Sequence, residues 1–165
     1  MPMPSTRQTS TRQRGAIAIE LALVSMLLAT LMFGGLELGR LMGTYNEVSQ
    51  SARAAARYLA TSATVGSAEI ADARKLVQYG SFATTTAPLA AELLAGSTQI
   101  QFCTPTYCDI PGKTTSSMTN YAVTGATTTN LVQVQVSGLQ FISNAPGFVK
   151  GLLFRPISVY LPKAS

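Results

Sequence analysis

From Ala16 to Leu36 the chain carries a single charged residue, Glu20, and no proline. As a helix rising about 1.5 Å per residue, this run would be roughly 31 Å long, against a bilayer hydrocarbon core of about 30 Å. The run therefore predicts one transmembrane helix over 16–36, and the rest of the chain must be arranged around it. The flanks set its direction. Met1–Arg14 is polar, contains Pro2 and Pro4, has no acid, and reads as a disordered basic head. Arg7, Arg12 and Arg14 precede the run, while only Arg40 lies close on its far side. By the positive-inside rule, the N-terminus stays in the cytoplasm and the C-terminal part crosses the membrane.

The formal charge of +5 arises mainly in this head. Setting Arg7, Arg12 and Arg14 aside from the 12 Lys and Arg leaves nine against seven acids, so the remainder is nearly neutral. That excludes a basic surface for nucleic acid.

Glu37–Ala63 keeps a helical period but turns amphipathic. Leu38, Leu41, Tyr45, Val48, Ala52, Ala55 and Leu59 recur at spacings of three and four, and Glu37, Arg40, Glu47, Arg53 and Arg57 fall off that stripe. A helix from Ala16 to about Ala60 would be roughly 68 Å long. Residues 64–165 read as a small extracytoplasmic α+β domain with an antiparallel sheet. Ser67 is placed to cap a helix through Tyr79, with Glu69 and Asp72 near its start, Arg74 and Lys75 nearer its end, and Gly80 closing it. Pro88–Ala95 suggests a second short helix. Gln99–Cys103 and Leu131–Val136 alternate as strands, with Val132, Val134 and Val136 on one face; Pro156–Leu161 reads as the last strand. Phe141–Phe154 fits either state. The expected organisation is thus 1–15 leader, 16–63 helix (16–36 transmembrane, 37–63 amphipathic) and 64–165 domain.

The sequence offers no catalytic constellation. There is no His, so a Ser or Cys nucleophile has no ordinary base and the commonest metal ligand is missing. No cofactor or metal site is expected. Cys103 and Cys108 close a short loop; outside the cytoplasm a disulfide is the default, and four intervening residues do not make a redox Cys-x-x-Cys.

The stretch Arg12-Gln13-Arg14-Gly15-Ala16-Ile17-Ala18-Ile19-Glu20 joins a basic run to a Gly, and at once to an apolar helix with an acid at its fifth residue. It resembles the prepilin leader junction. The resemblance implies cleavage by a prepilin peptidase between Gly15 and Ala16, leaving Glu20 as the fifth residue of the mature chain. Glu20 is unusual on physical grounds alone, because an acid deep in a bilayer costs about 2.5–3.5 kcal/mol. In pilin-like assemblies its partner is the α-amino group of a neighbouring subunit. Attraction at about 4 Å is roughly 4 kcal/mol at an effective dielectric of 20, and desolvation of the ions offsets it. The pair then sets axial register rather than acting as net glue. The plain alternative is a polar residue near a helix end beside Arg14.

Glu20-Leu21-Ala22-Leu23-Val24, Glu37-Leu38-Gly39-Arg40-Leu41 and Ala52-Arg53-Ala54-Ala55-Ala56-Arg57-Tyr58 are together similar to the N-terminal signature of TadE-like proteins, minor pilin-like components of tight-adherence (Flp, type IVc) pili. Where members often carry Pro six residues after the Glu, this chain has Met26. The resemblance implies a minor pilin in the bacterial inner membrane that takes part in assembly or priming of an adhesive pilus. Its partners would be the prepilin peptidase, other minor and major pilins, the inner-membrane assembly platform and the lipid bilayer. The alternative is an unprocessed single-pass membrane protein with an extracytoplasmic interaction domain. A secreted hydrolase behind an ordinary signal peptide fits poorly, since Glu20 is out of place in an h-region and no A-x-A site follows the run.

Two further patterns carry alternatives. Gly35, Gly39 and Gly43 fall four apart and form either a helix-packing face or ordinary glycine usage in a membrane helix. Arg53 and Arg57, one turn apart with Tyr58 alongside, form either an interaction surface for a neighbouring subunit or a solvated helix face.

Overall fold

The computed structural model describes residues 9–83, 87–94, 96–123, 127–143 and 150–164. The chain divides into two compact units, Met1–Arg40 and Leu41–Ser165. The first helix, α1, is Thr9–Thr61. It begins earlier than the Ala16 start expected from hydropathy. Residues 9–14 contain no proline or glycine, so nothing in their backbone chemistry stops a helix there; Met1–Gln8 lie outside the described residues. Met26 leaves the helix unbroken where a proline would have removed a backbone donor.

Between Ala16 and Leu36, α1 is apolar apart from Glu20 and a few small polar residues, and its large apolar side chains are exposed. Ile17, Leu21, Leu27, Met32 and Leu36 are all more than half exposed, and the most apolar window, of mean hydropathy 2.3, is 0% buried. The polar hydroxyls within it turn inward on the helix: Ser25 Oγ donates to Ala22 O at 2.9 Å and Thr30 Oγ1 to Met26 O at 2.8 Å.

The second unit is built on the remainder of α1. Val48, Ala52, Ala55, Ala56, Leu59 and Ala60 are buried, while Glu47, Arg53 and Arg57 stay in solvent. The apolar stripe thus becomes core only from Val48 on. Tyr45 remains 39% exposed and rests its ring 5.8 Å from that of Phe154. The end of α1 is tied down by the chain terminus: Ala164 N–H donates to Ala60 O at 3.0 Å, and Lys163 Nζ donates to Ser62 O at 3.1 Å. One backbone N–H and one cation thereby meet carbonyls at and just past the helix end.

The second helix, α2, is Ser67–Tyr79. Its cap is Gly66 rather than Ser67, and Glu69 in the first turn accepts the Gly66 N–H at 2.8 Å. Gly80 closes it with φ 69°. Ile70, Ala73 and Val77 form its buried face. The short helix expected near Pro88 is a single 3-10 turn, Ala91–Leu94.

The described strands are β1 (Gln99–Cys103), β2 (Tyr121–Val123), β3 (Thr127–Thr129), β4 (Leu131–Ser137), β5 (Gln140–Ile142), β6 (Lys150–Leu153) and β7 (Ile157–Pro162). They form an antiparallel sheet in the order β1-β4-β7 and two hairpins, β2-β3 and β5-β6. The register sets Ile100 and Phe102 beside Val136 and Val134, and sets Ile157, Val159 and Leu161 beside Val136, Val134 and Val132. These residues make one apolar face, which shares a core with the buried faces of α1 and α2. The opposite face carries Gln101, Gln133, Gln135 and Tyr160. Buried Gln133 is satisfied there by Lys113, whose Nζ donates to Gln133 Oε1 and to Tyr160 Oη, each at 2.7 Å. Cys103 and Cys108 are joined in a disulfide beside a smaller core of Ile110 and Met118.

Two outcomes follow from this packing. Gly138 has φ 72°, and a Cβ there would meet Ser97 O at 2.0 Å. Gly138→Ala should destabilise the full-length chain by about 2 kcal/mol or more and lower its thermal midpoint in detergent by roughly 8 °C. Reducing Cys103–Cys108 should cost about 2 kcal/mol, the loop-entropy value for so short a ring. Alkylation of membrane-recovered protein without reductant should leave both cysteines unlabelled.

Candidate functional site

The features expected to carry function lie along α1, and in the first unit none is covered. Gly15 and Ala16 are both exposed and both helical, and no heavy atom lies within 4 Å of a Cβ built at Gly15. Gly costs a helix about 1 kcal/mol relative to Ala, so Gly15 locally weakens the helix beside the bond where the leader would be cut. Glu20 is exposed, and among the described residues no hydrogen bond or ion pair reaches it. Its helical neighbours at three and four residues are Ala16, Ile17, Leu23 and Val24, so the acid stands in an apolar surface. Ala16 is one turn away on the same face, a rise of about 6 Å.

Gly35, Gly39 and Gly43 follow on α1. No heavy atom lies within 4 Å of a Cβ built at any of them, so this face is open to close approach. Glu37 and Arg40 pair at 3.2 Å across one turn, where the apolar run ends. Such an exposed pair contributes about 0–1 kcal/mol and serves mainly to mark the end of the run.

In the second unit, Arg53 and Arg57 are exposed, and no ion pair to either occurs among the described residues. Tyr58 does not share their surface. It is half-buried and sets its ring edge-on to Phe82 at 5.2 Å. Arg53 instead faces a feature the sequence reading missed, an open groove of about 820 Å³ between α1 and β7. Tyr45, Asn46, Ser49, Gln50 and Arg53 line one wall, and residues 155–160 line the other. The available signal was a second stripe: Asn46, Ser49, Gln50 and Arg53 recur at three and four beside the apolar one. Among the described residues there is no group of three or more His, Cys, Asp or Glu that could hold a metal ion.

A helix that is apolar all round belongs in a protein core or in a membrane, and one with none of its apolar window buried does not belong in its own core. Among the described residues, α1 is the one helix long and apolar enough to cross a bilayer. No curated protein matches this chain, and no solved structure does. Residues 15–57 match the family model described as TadE-like protein, and they cover the apolar run, Glu20, the three glycines, Arg53 and Arg57. This N-terminal segment is thus similar to TadE-like proteins, and its one apolar helix fits a single-pass membrane anchor.

Proposed function

We propose that the chain is a minor pilin that takes part in assembling or priming a Tad/Flp adhesive pilus. The observation that carries this reading is a coincidence of place. The TadE-like match begins at Gly15, the residue at which the basic head meets the apolar helix, and Glu20 stands five residues further on. In this reading the prepilin peptidase cuts between Gly15 and Ala16. The apolar run 16–36 remains in the inner membrane, and the C-terminal domain, 64–165, is extracytoplasmic, available to other pilins and to the assembly platform. A domain of this size exceeds what the short major Flp pilins carry, which favours a minor component over the main filament subunit.

Glu20 is then the register device. Unpaired, its carboxylate is costly in the bilayer. Paired with the Ala16 amine of a neighbour, it fixes how far one helix is shifted along the next. Gly35, Gly39 and Gly43 would let helices approach closely in the same assembly.

One observation favours the unprocessed single-pass alternative: α1 runs through the Gly15–Ala16 bond, and a peptidase would have to unwind that turn. N-terminal sequencing of membrane-extracted protein decides between the two. The pilin reading expects Ala16 as the first residue; a chain beginning at Met1 leaves the plain anchor.

The second test separates register from anchoring. Glu20→Ala removes the costliest residue of the apolar run, so insertion should be at least as good as in the parent chain. If Glu20 sets register, pilus number in a strain lacking the native protein should nonetheless fall severalfold, and Glu20→Asp should restore it in part. Normal piliation with Glu20→Ala would end the register reading.

A further inference from the structure

The two edges of the sheet are treated differently. In the ladder between β4 and β7, Lys163 N–H donates to Asn130 O at 2.8 Å, which continues the strand register by one pair. Hydrogen-bonded pairs alternate in an antiparallel ladder. Ile157, Val159 and Leu161 therefore turn their backbone groups to β4, and Ser158, Tyr160 and Pro162 turn theirs outward. Pro162 lacks an N–H on that outward side, where an edge strand tolerates proline.

The same logic at β1 turns Ile100 and Phe102 outward, and there the groups are engaged. Arg74 Nη1 donates to Ile100 O at 2.9 Å, Phe102 N–H donates to Asp109 Oδ1, and Asp109 N–H donates to Phe102 O at 3.0 Å. The turn closed by Cys103–Cys108 holds Asp109 in place for this. Among the described residues no group outside β4 bonds the backbone of Ser158 or Tyr160. Free edges are ordinarily blunted by charge, proline or cover, because they pair with other chains. This one runs beside a groove of about 820 Å³ whose other wall is α1.

The charges at the groove are of one sign. Arg53 and Arg155 line it, both exposed, and no acid does. The described strands do not supply the missing acid: none of β1 to β7 contains Asp or Glu. Two copies meeting edge to edge would set these arginines against each other.

We propose that the outward edge of β7 is a docking site for an extended acidic segment of a different polypeptide, which adds to the sheet as a fourth strand. Its backbone bonds Ser158 and Tyr160, and its carboxylates meet Arg53 and Arg155. Main-chain bonds supply affinity in such strand addition, and side chains at alternate positions supply selectivity. The inference stands on the edge and its charges, and does not depend on whether the chain is processed or enters a filament.

The test uses the full-length chain in detergent and a labelled, end-blocked peptide of alternating valine and glutamate, with binding read by fluorescence anisotropy. Saturable binding is expected, weakening with added salt. The valine–lysine counterpart should bind roughly tenfold more weakly or worse, since like charges replace opposite ones. Methylating alternate backbone nitrogens of the valine–glutamate peptide should abolish binding. This control needs no protein variant and so does not depend on one folding. Arg53→Ala and Arg155→Ala should each weaken binding about two- to fivefold, the range for exposed ion pairs. Ser158→Pro, which removes an outward N–H without taking a bond from β4, should weaken it about fivefold. Absence of saturable binding would overturn the proposal, as would equal binding of the lysine or methylated peptide. A Ser158→Cys chain that cross-links to itself in detergent would also overturn it, by assigning the edge to a second copy.

Discussion

The second unit depends on one shared apolar core, to which an alanine-rich helix face and a valine-rich strand both contribute. Ala52, Ala55, Ala56 and Ala60 line the α1 side of that core, with Val48 and Leu59 supplying bulk. To the same core β4 contributes Val132, Val134 and Val136, all essentially inaccessible. As the middle strand, β4 pairs on both sides, so a fully buried run of it leaves no backbone group unpaired. The other elements of the unit complete this core. α2 covers the rest of the apolar face, and the chain terminus seals the end of α1 through Lys163 and Ala164.

What was legible in the sequence follows from this arrangement. β1, β4 and β7 were readable because one face of each is apolar and the other polar, so burial imposes a period of two. α2 was readable from its first-turn acid and its closing Gly80, although the cap expected at Ser67 falls at Gly66. The β2-β3 hairpin was not, because its strands are only three residues long and Tyr121, Ala122 and Thr128 are exposed. Residues 141–154 were ambiguous for a related reason: β5 and β6 are short, Leu152 and Leu153 face solvent, and 144–149 lie outside the described residues. The start of the amphipathic stripe misled in the other direction. Leu38 and Tyr45 keep the spacing of core residues but remain exposed, since periodicity reports a face and not what covers it.

The same limit applies to the candidate residues. Glu20, Gly15 and the glycine stripe were legible because a charge or a helix-weakening residue in an apolar run stands out against its neighbours. The groove was not legible, because it needs residues from α1 and from β7, separated by about a hundred positions, to be brought together by the sheet. Arg155 by itself is an ordinary surface cation. It becomes informative only beside a strand whose outward amides are free.

The charges left incomplete by the fold sit in two different solvents, and that difference assigns them different work. Glu37, Glu69, Asp72 and Asp109 each have a partner within the chain. Glu20 does not, and in a bilayer an unpaired carboxylate costs several kcal/mol, so a partner there changes whether the inserted helix is stable. Arg53 and Arg155 are in water, where an unpaired cation costs almost nothing and an added ion pair contributes at most about 1 kcal/mol. In the proposed docking their effect would be on which strand is accepted at β7, while backbone bonding would decide how firmly it is held. Arg74 shows the completed form of the same arrangement at the opposite edge. There an arginine, an aspartate and a strand backbone close on one another, with the guanidinium 5.4 Å from the Phe102 ring centre. At β7 the arginines and the strand edge are in place, and the proposed acidic segment would supply the acid.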